Sequence, residues 1–166
     1  MGYTVMGTNK TGLEVGQVAP HWAAEAIVNG EQATLDQSML AGQGYILYFY
    51  PKDNTPGCTT QACDFRDHID RLSGLGYRVI GCSPDSLRSH LNFQSKQSFT
   101  YDLLSDPEHK VAEAFGVWRE KKNYGRTYMG IVRSTIIINN QGQITEIFDN
   151  VRAKGHVDRL LEALSS

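Results

Sequence analysis

The chain has 166 residues, 40% of them hydrophobic and 20% charged, with a formal net charge of −2. That is enough material for one domain with a sizeable core, and too apolar for a disordered chain. The charge gives no reason to expect nucleic acid or an anionic membrane surface as partner, and the longest apolar runs, at 45–50 and 135–138, are far short of a membrane span.

Residues 1–12 are polar and rich in Gly and Thr, without an apolar core behind positive charges. They read as a flexible lead and not as a secretory signal, which makes the cytoplasm the default compartment. Residues 21–28 and 32–36 flank Asn29-Gly30, the dipeptide suited to a tight hairpin turn. Residues 45–50 form a continuous apolar run ending at Pro51, the pattern of a strand buried on both faces. Cys58, Ala62, Phe65, Ile69 and Leu72 then recur at intervals of four and three, predicting one amphipathic helix that stops near Gly74 and Gly76. A short strand over 78–82 follows, so that strand, helix and strand make a right-handed parallel unit. Ser83-Pro84 predicts a further helix start, with Ser83 as N-cap and Pro84 at the first helical position, and Asp106-Pro107 repeats the device before a helix ending near Gly116. Residues 134–138 and 143–149 predict a hairpin about 139–142. A closing helix gathers Val157, Leu160, Leu161 and Leu164 on one face.

Three cysteines in a chain of this size are not a disulfide framework; catalysis, metal binding and simple burial are the available uses. Cys58 falls where a buried strand hands over to a helix, with Thr55 a candidate N-cap and Pro56 at the first helical position. A cysteine there meets unpaired backbone N–H groups and the positive end of the helix dipole, both of which favour the nucleophilic thiolate. Cys63 lies about 140° around the same helix, toward Asp67 and Asp70. Cys82, at the end of a buried strand, reads as a core residue. Cys58, Cys63 and His68 step by five, which spreads them around a helix and argues against a metal site.

The stretch Pro51-x-x-x-Thr55-x-x-Cys58 matches the active-site pattern of peroxiredoxins. With Cys63, Phe65-Arg-Asp67, Gly81-x-Ser83-x-Asp85, Phe115-Gly-Val-Trp118 and Tyr128-x-Gly130-x-x-Arg133-Ser-Thr135, the chain resembles the peroxiredoxin Q group, also called bacterioferritin comigratory proteins, over roughly residues 13–164. The resemblance implies an α/β, thioredoxin-like (peroxiredoxin) fold: a central mixed sheet flanked by helices, with an added N-terminal β-hairpin, in a single domain over 13–166. It implies a thiol-dependent peroxidase acting on hydrogen peroxide and organic hydroperoxides, with no cofactor and no metal. Cys58 would be the peroxidatic cysteine and Cys63 the resolving one. Thr55 would hydrogen-bond peroxide and thiolate, Pro51 would wall the pocket, and Arg133 would hold the thiolate and polarise the O–O bond. A permanently charged guanidinium suits both tasks. Thioredoxin or a glutaredoxin would return the electrons, and the protein would be a monomer or weak homodimer. Two departures stand out. Position 82, usually aliphatic in the group, is Cys, and no cysteine occupies the helix after that strand, where some relatives carry the resolving thiol. A disulfide reductase is the rival enzyme on this fold, but it usually uses Cys-x-x-Cys, and four residues separate Cys58 from Cys63. A catalytically silent interaction module would be marked by damage to the Cys58–Thr55–Arg133 set, and none is damaged.

Overall fold

The computed structural model describes residues 4–6 and 9–165, with the first of these segments described by its backbone. Ten strands and five α-helices follow in the order β1 (Thr4–Met6), β2 (Ala23–Val28), β3 (Glu31–Asp36), β4 (Gly44–Phe49), α1 (Pro56–Asp67), α2 (Ile69–Gly74), β5 (Tyr77–Ser83), α3 (Leu87–Gln97), β6 (Asp102–Ser105), α4 (Lys110–Ala114), β7 (Trp118–Asn123), β8 (Arg126–Ile131), β9 (Ser134–Ile138), β10 (Ile144–Phe148) and α5 (His156–Ser165). Eight strands form one mixed sheet in the order β1-β10-β9-β4-β5-β6-β2-β3, and β7 pairs with β8 apart from it. β4, β5 and β6 run parallel at the centre, and β9 is antiparallel to β4 on the other side. This is the thioredoxin-like α/β architecture, with the N-terminal hairpin of β2 and β3 added at one edge.

Strand alternation divides the core. Tyr45, Leu47 and Phe49 of β4 face one layer with Leu35, Ile80, Leu104, Phe115 and Ile136. Ile46 and Tyr48, with Tyr50 beyond the strand, face the other, where α1, α3 and α5 bring Phe65, Phe93 and Leu160 against the sheet. All six residues of β4 are buried, as its apolar run predicts. In the hairpin, Asn29 and Gly30 have φ of 52° and 78°, the left-handed pair that a two-residue turn between twisted strands needs.

Several sequence expectations are corrected. Thr4–Met6 lies in parallel register on β10, so this part of the expected flexible lead is a strand; residues 1–3 and 7–8 of it lie outside the described residues. The single helix expected from Cys58 to Leu72 is broken at His68. There Nδ1 sits 2.8 Å from the Asp64 carbonyl, and the His68 N–H turns instead to the Phe65 carbonyl, 3.2 Å away. The side chain competes for the carbonyl one turn back, which tightens and ends the helix. Ser83 completes β5 and does not cap α3; Ser86 does, accepting from the Ser89 N–H at 3.1 Å. Asp106 acts at a distance: α4 begins only at Lys110, but the Asp106 carboxylate accepts from the Val111 and Ala112 N–H groups at 3.1 and 2.9 Å. β6 and the β7–β8 hairpin were not anticipated.

Candidate active site

Parallel strands end together, so the C-terminal ends of β4 and β5 open onto the loop that starts α1. Thr55 is the N-cap residue by position, with φ of −88° and ψ of 155°, and Pro56 opens the helix. The Thr55 hydroxyl makes no cap bond; it donates to the Lys52 carbonyl at 2.8 Å and closes the loop on itself. Cys58 is therefore the third helical residue, among the N–H groups that have no partner within the helix. Its side chain is buried, on the same face as Gln61, Ala62 and Phe65. Half-buried Pro51 directly follows the residue that continues β4.

Arg133 arrives from beside β4, in the two-residue link between β8 and β9, whose first residue Ser134 pairs with Phe49. Its Nη2 donates to Cys58 Sγ at 3.3 Å and its Nη1 to Gln61 Oε1 at 2.5 Å. Gly57 makes room for it: a side-chain carbon there would come within 3.3 Å of Nη2. The backbone around Arg133 is fixed in turn. The Val151 N–H donates to its carbonyl at 2.9 Å, and neighbouring Ser134 donates to Asp149, which also takes two bonds from Arg119 at 2.6 and 3.1 Å. Burial pushes Asp149 up, but the Arg119 guanidinium, the Lys10 N–H and Ser134 outweigh it and hold the carboxyl below its usual value. Lys121 brings a second cation within electrostatic reach of Cys58 and Arg133. Its Nζ donates to the Ile131 carbonyl at 2.8 Å, and burial together with Arg133 lowers its pKa.

Cys63 sits five residues along the same unbroken helix and points elsewhere. It is half-buried at the seam with α3, its Sγ 3.4 Å from Gln97 Oε1, and Asp70, expected beside it, belongs to α2. Cys82 is buried in β5 between Phe49 and Leu104, and burial, with Asp106 adding, pushes its thiol well above the ordinary range. All three cysteines are free thiols.

The structure thus brings Cys58 and Arg133 together, sets Thr55 and Pro51 in the loop that precedes them, and keeps Cys63 apart. Gln61 and Lys121 are additions. Gln61 was legible as the residue three after Cys58, hence on its face of the helix. Lys121 gave no signal, lying in a strand whose pattern is polar.

Residues 15–147 match the AhpC/TSA family. The chain belongs to that family. It is 46% identical over 152 residues to peroxiredoxin Bcp of Bacillus subtilis (strain 168), covering 92% of this chain and 95% of that one. To the putative peroxiredoxin bcp of Haemophilus influenzae it is 44% identical over 154 residues, covering 93% and 97%. Among solved structures, Xanthomonas campestris peroxiredoxin Q superposes with a TM-score of 0.80 at 37% identity, covering 87% of this chain and 89% of that one. A cysteine-to-serine variant of Xylella fastidiosa PrxQ gives 0.84 at 33%, covering 96% and 98%. Within the AhpC/TSA family, then, this chain falls in the Bcp or peroxiredoxin Q group, and it is a thiol-dependent peroxidase of thioredoxin-like fold.

Proposed function

We propose that Cys58 is the peroxidatic cysteine and Cys63 the resolving one, in a cycle that reduces hydrogen peroxide and organic hydroperoxides. The observation that carries this reading is the buried Cys58 sulfur at the third position of α1, 3.3 Å from the Arg133 guanidinium. The helix start and the fixed positive charge both favour the thiolate over the thiol. Thiolate sulfur attacks the nearer peroxide oxygen, the O–O bond breaks, and the departing oxygen takes a proton and leaves as water or alcohol. Arg133 stabilises the negative charge that develops on that oxygen. Thr55, its own proton held on Lys52, keeps lone pairs with which to accept the peroxide O–H, and Pro51 excludes water beside it.

The Cys58 sulfenic acid then condenses with the Cys63 thiol, releasing water and forming an intramolecular disulfide. In an intact helix, residues five apart have Cα atoms about 8.6 Å apart, beyond the roughly 7 Å that a disulfide spans. α1 must therefore unwind between the two steps. A dithiol protein of the thioredoxin or glutaredoxin kind then reduces the disulfide by thiol exchange. Alkyl peroxide reduction by the Xanthomonas campestris bacterioferritin comigratory protein supports extending the substrate range to organic hydroperoxides. Among the described residues no helix is long and apolar enough to cross a membrane. We place the enzyme in the cytoplasm, as a monomer or weak homodimer with one catalytic domain over 13–166.

Peroxide consumption in Cys58→Ser tests the assignment. Loss of turnover in a folded protein is expected, because a hydroxyl is a far poorer nucleophile at neutral pH. Rapid consumption in that variant would refute it.

A further inference from the structure

Beneath the loop that precedes Cys58 lies a buried polar cluster that the reaction as written does not use. The Asp53 side chain is 1% exposed and His90 is wholly buried. One Asp53 oxygen accepts from the Tyr50 hydroxyl at 2.6 Å; the other accepts from Ser89 at 2.9 Å and lies 2.7 Å from His90 Nδ1. On the far side of the ring, Nε2 lies 2.8 Å from the Leu104 carbonyl. A carbonyl only accepts, so Nε2 carries a proton. A bare Nδ1 would then set one lone pair against another at 2.7 Å. A second proton must therefore lie between Nδ1 and Oδ2, whichever atom formally holds it, in a charge-assisted bond shielded from water. The Asp53 N–H is also held, by Asp85 at 2.8 Å, and Asp85 takes the Ser83 hydroxyl at 2.6 Å. Asp53, Asp85 and His90 offer ligand atoms within 4.8 Å of one another, but these hydrogen bonds already occupy them.

We propose that His90 is a positioning residue for the peroxidatic loop: the proton it shares with Asp53 ties residues 51–55 to α3 and β6 and so fixes where α1 begins. The mechanical path is short. Asp53 follows Lys52, whose carbonyl holds the Thr55 hydroxyl, and Thr55 starts the helix whose third residue is Cys58. Misplacing a reacting atom by about 1 Å can cost about 100-fold in rate, so loosening this anchor acts on the chemistry at Cys58.

The inference rests on Cys58 being the reacting thiol. Its test is the second-order rate of Cys58 oxidation by hydrogen peroxide, followed by stopped flow in reduced, folded protein. Asp53→Asn keeps the shape and one acceptor oxygen, for Tyr50 or for Ser89 but not both, and loses the charge that holds the shared proton; a fall of about 10-fold or more is expected. His90→Leu fills the space without donors and should fall at least as far. His90→Asn, smaller but able to donate toward Asp53, should recover part of the loss, which packing alone would not give. Nitrogen-15 spectra of the wild type should show His90 with a proton on Nε2 and a strongly deshielded one at Nδ1, absent in Asp53→Asn. Unchanged rates in Asp53→Asn and His90→Leu, or a wild-type spectrum with no strongly deshielded proton in the bond between Nδ1 and Asp53, would overturn the proposal. Should His90→Leu not fold, Asp53→Asn and the wild-type spectra still decide. Rapid peroxide consumption by Cys58→Ser would sink the underlying assignment; silence there with full rate in Asp53→Asn would sink only the positioning role.

Discussion

Before Cys58, the chain is stitched down: Tyr50, Asp53 and Thr55 are held by hydrogen bonds of 2.6–2.9 Å to buried, half-buried or backbone partners. After it, the helix that carries both cysteines has weaker ties. Cys63 meets Gln97 at 3.4 Å through a sulfur and Tyr101 reaches the Ala62 carbonyl at 3.3 Å; the close ties are Arg66 to the Gln97 carbonyl at 2.6 Å and Arg133 to Gln61 at 2.5 Å. Beneath, contacts are apolar, with Phe65 stacked on Tyr48 at 4.4 Å. The proposed cycle, with both of its cysteines on one helix, needs this asymmetry. The first step demands a fixed sulfur; the second demands that the same sulfur travel. Arg133 bridges the two halves, gripping Cys58 and Gln61 from the link into the neighbouring strand β9.

Cutting that bridge should give the largest effect. Arg133→Met removes both the partner charge and the clasp on Gln61, and should slow peroxide attack by roughly 100- to 1,000-fold, the scale seen when one transition-state donor is lost. An attack rate in Arg133→Met equal to that of the wild type would mean that Arg133 is not the partner.

Acid should loosen the mobile half from below. His156 sits edge-on to Phe65 of α1, its Nε2 2.8 Å from the Thr135 hydroxyl. Burial, reinforced by Arg159 and Arg133, lowers its pKa from 6.5 to about 3. The unfolded chain takes up a proton near pH 6.5 and the folded one does not. Stability from this group is thus complete above that value and declines as pH falls toward 3. Between about pH 6.5 and 4 the loss is on the order of 2–3 kcal/mol. Denaturant titrations of wild type and His156→Gln should differ in slope over that window; parallel curves would show that His156 does not seat the helix.

The smallest effect belongs to Cys82, which lies in neither half. Cys82→Val is a near-isosteric change in a buried strand and should cost less than about 1.5 kcal/mol, with turnover intact. Lost turnover would name it, and not Cys63, as the second redox thiol.

Much of this was legible in the sequence where local rules and burial agree. The β2–β3 turn, β4, the β9–β10 hairpin and α5 follow from turn chemistry and periodicity, and Cys58 from its place at a strand-to-helix junction. The β7–β8 hairpin was hidden because Trp118–Asn123 reads W-R-E-K-K-N, with neither face wholly buried, so no alternation betrays it. Its turn at Tyr124 and Gly125, with φ of 52° and 75°, was the available sign. The break at His68 depends on one side chain reaching back to a carbonyl, which spacing does not encode. Ser83 and Asp53 illustrate the other limit. Both resemble ordinary cap or loop residues until the fold brings β5, β6 and α3 together and turns them into anchors.

Hydrogen exchange across the redox cycle tests the asymmetry most directly. In reduced protein, the amides of Tyr50 and Asp53, each held by a hydrogen bond, and those over 59–66 should be protected. On oxidation with one equivalent of peroxide, protection over 59–66 should collapse as the Cys58–Cys63 disulfide forms, while Tyr50 and Asp53 stay protected, and reductant should reverse the change. Oxidised protein that shows the disulfide by mass spectrometry yet keeps 59–66 protected, or that loses Tyr50 and Asp53 as well, would contradict the account.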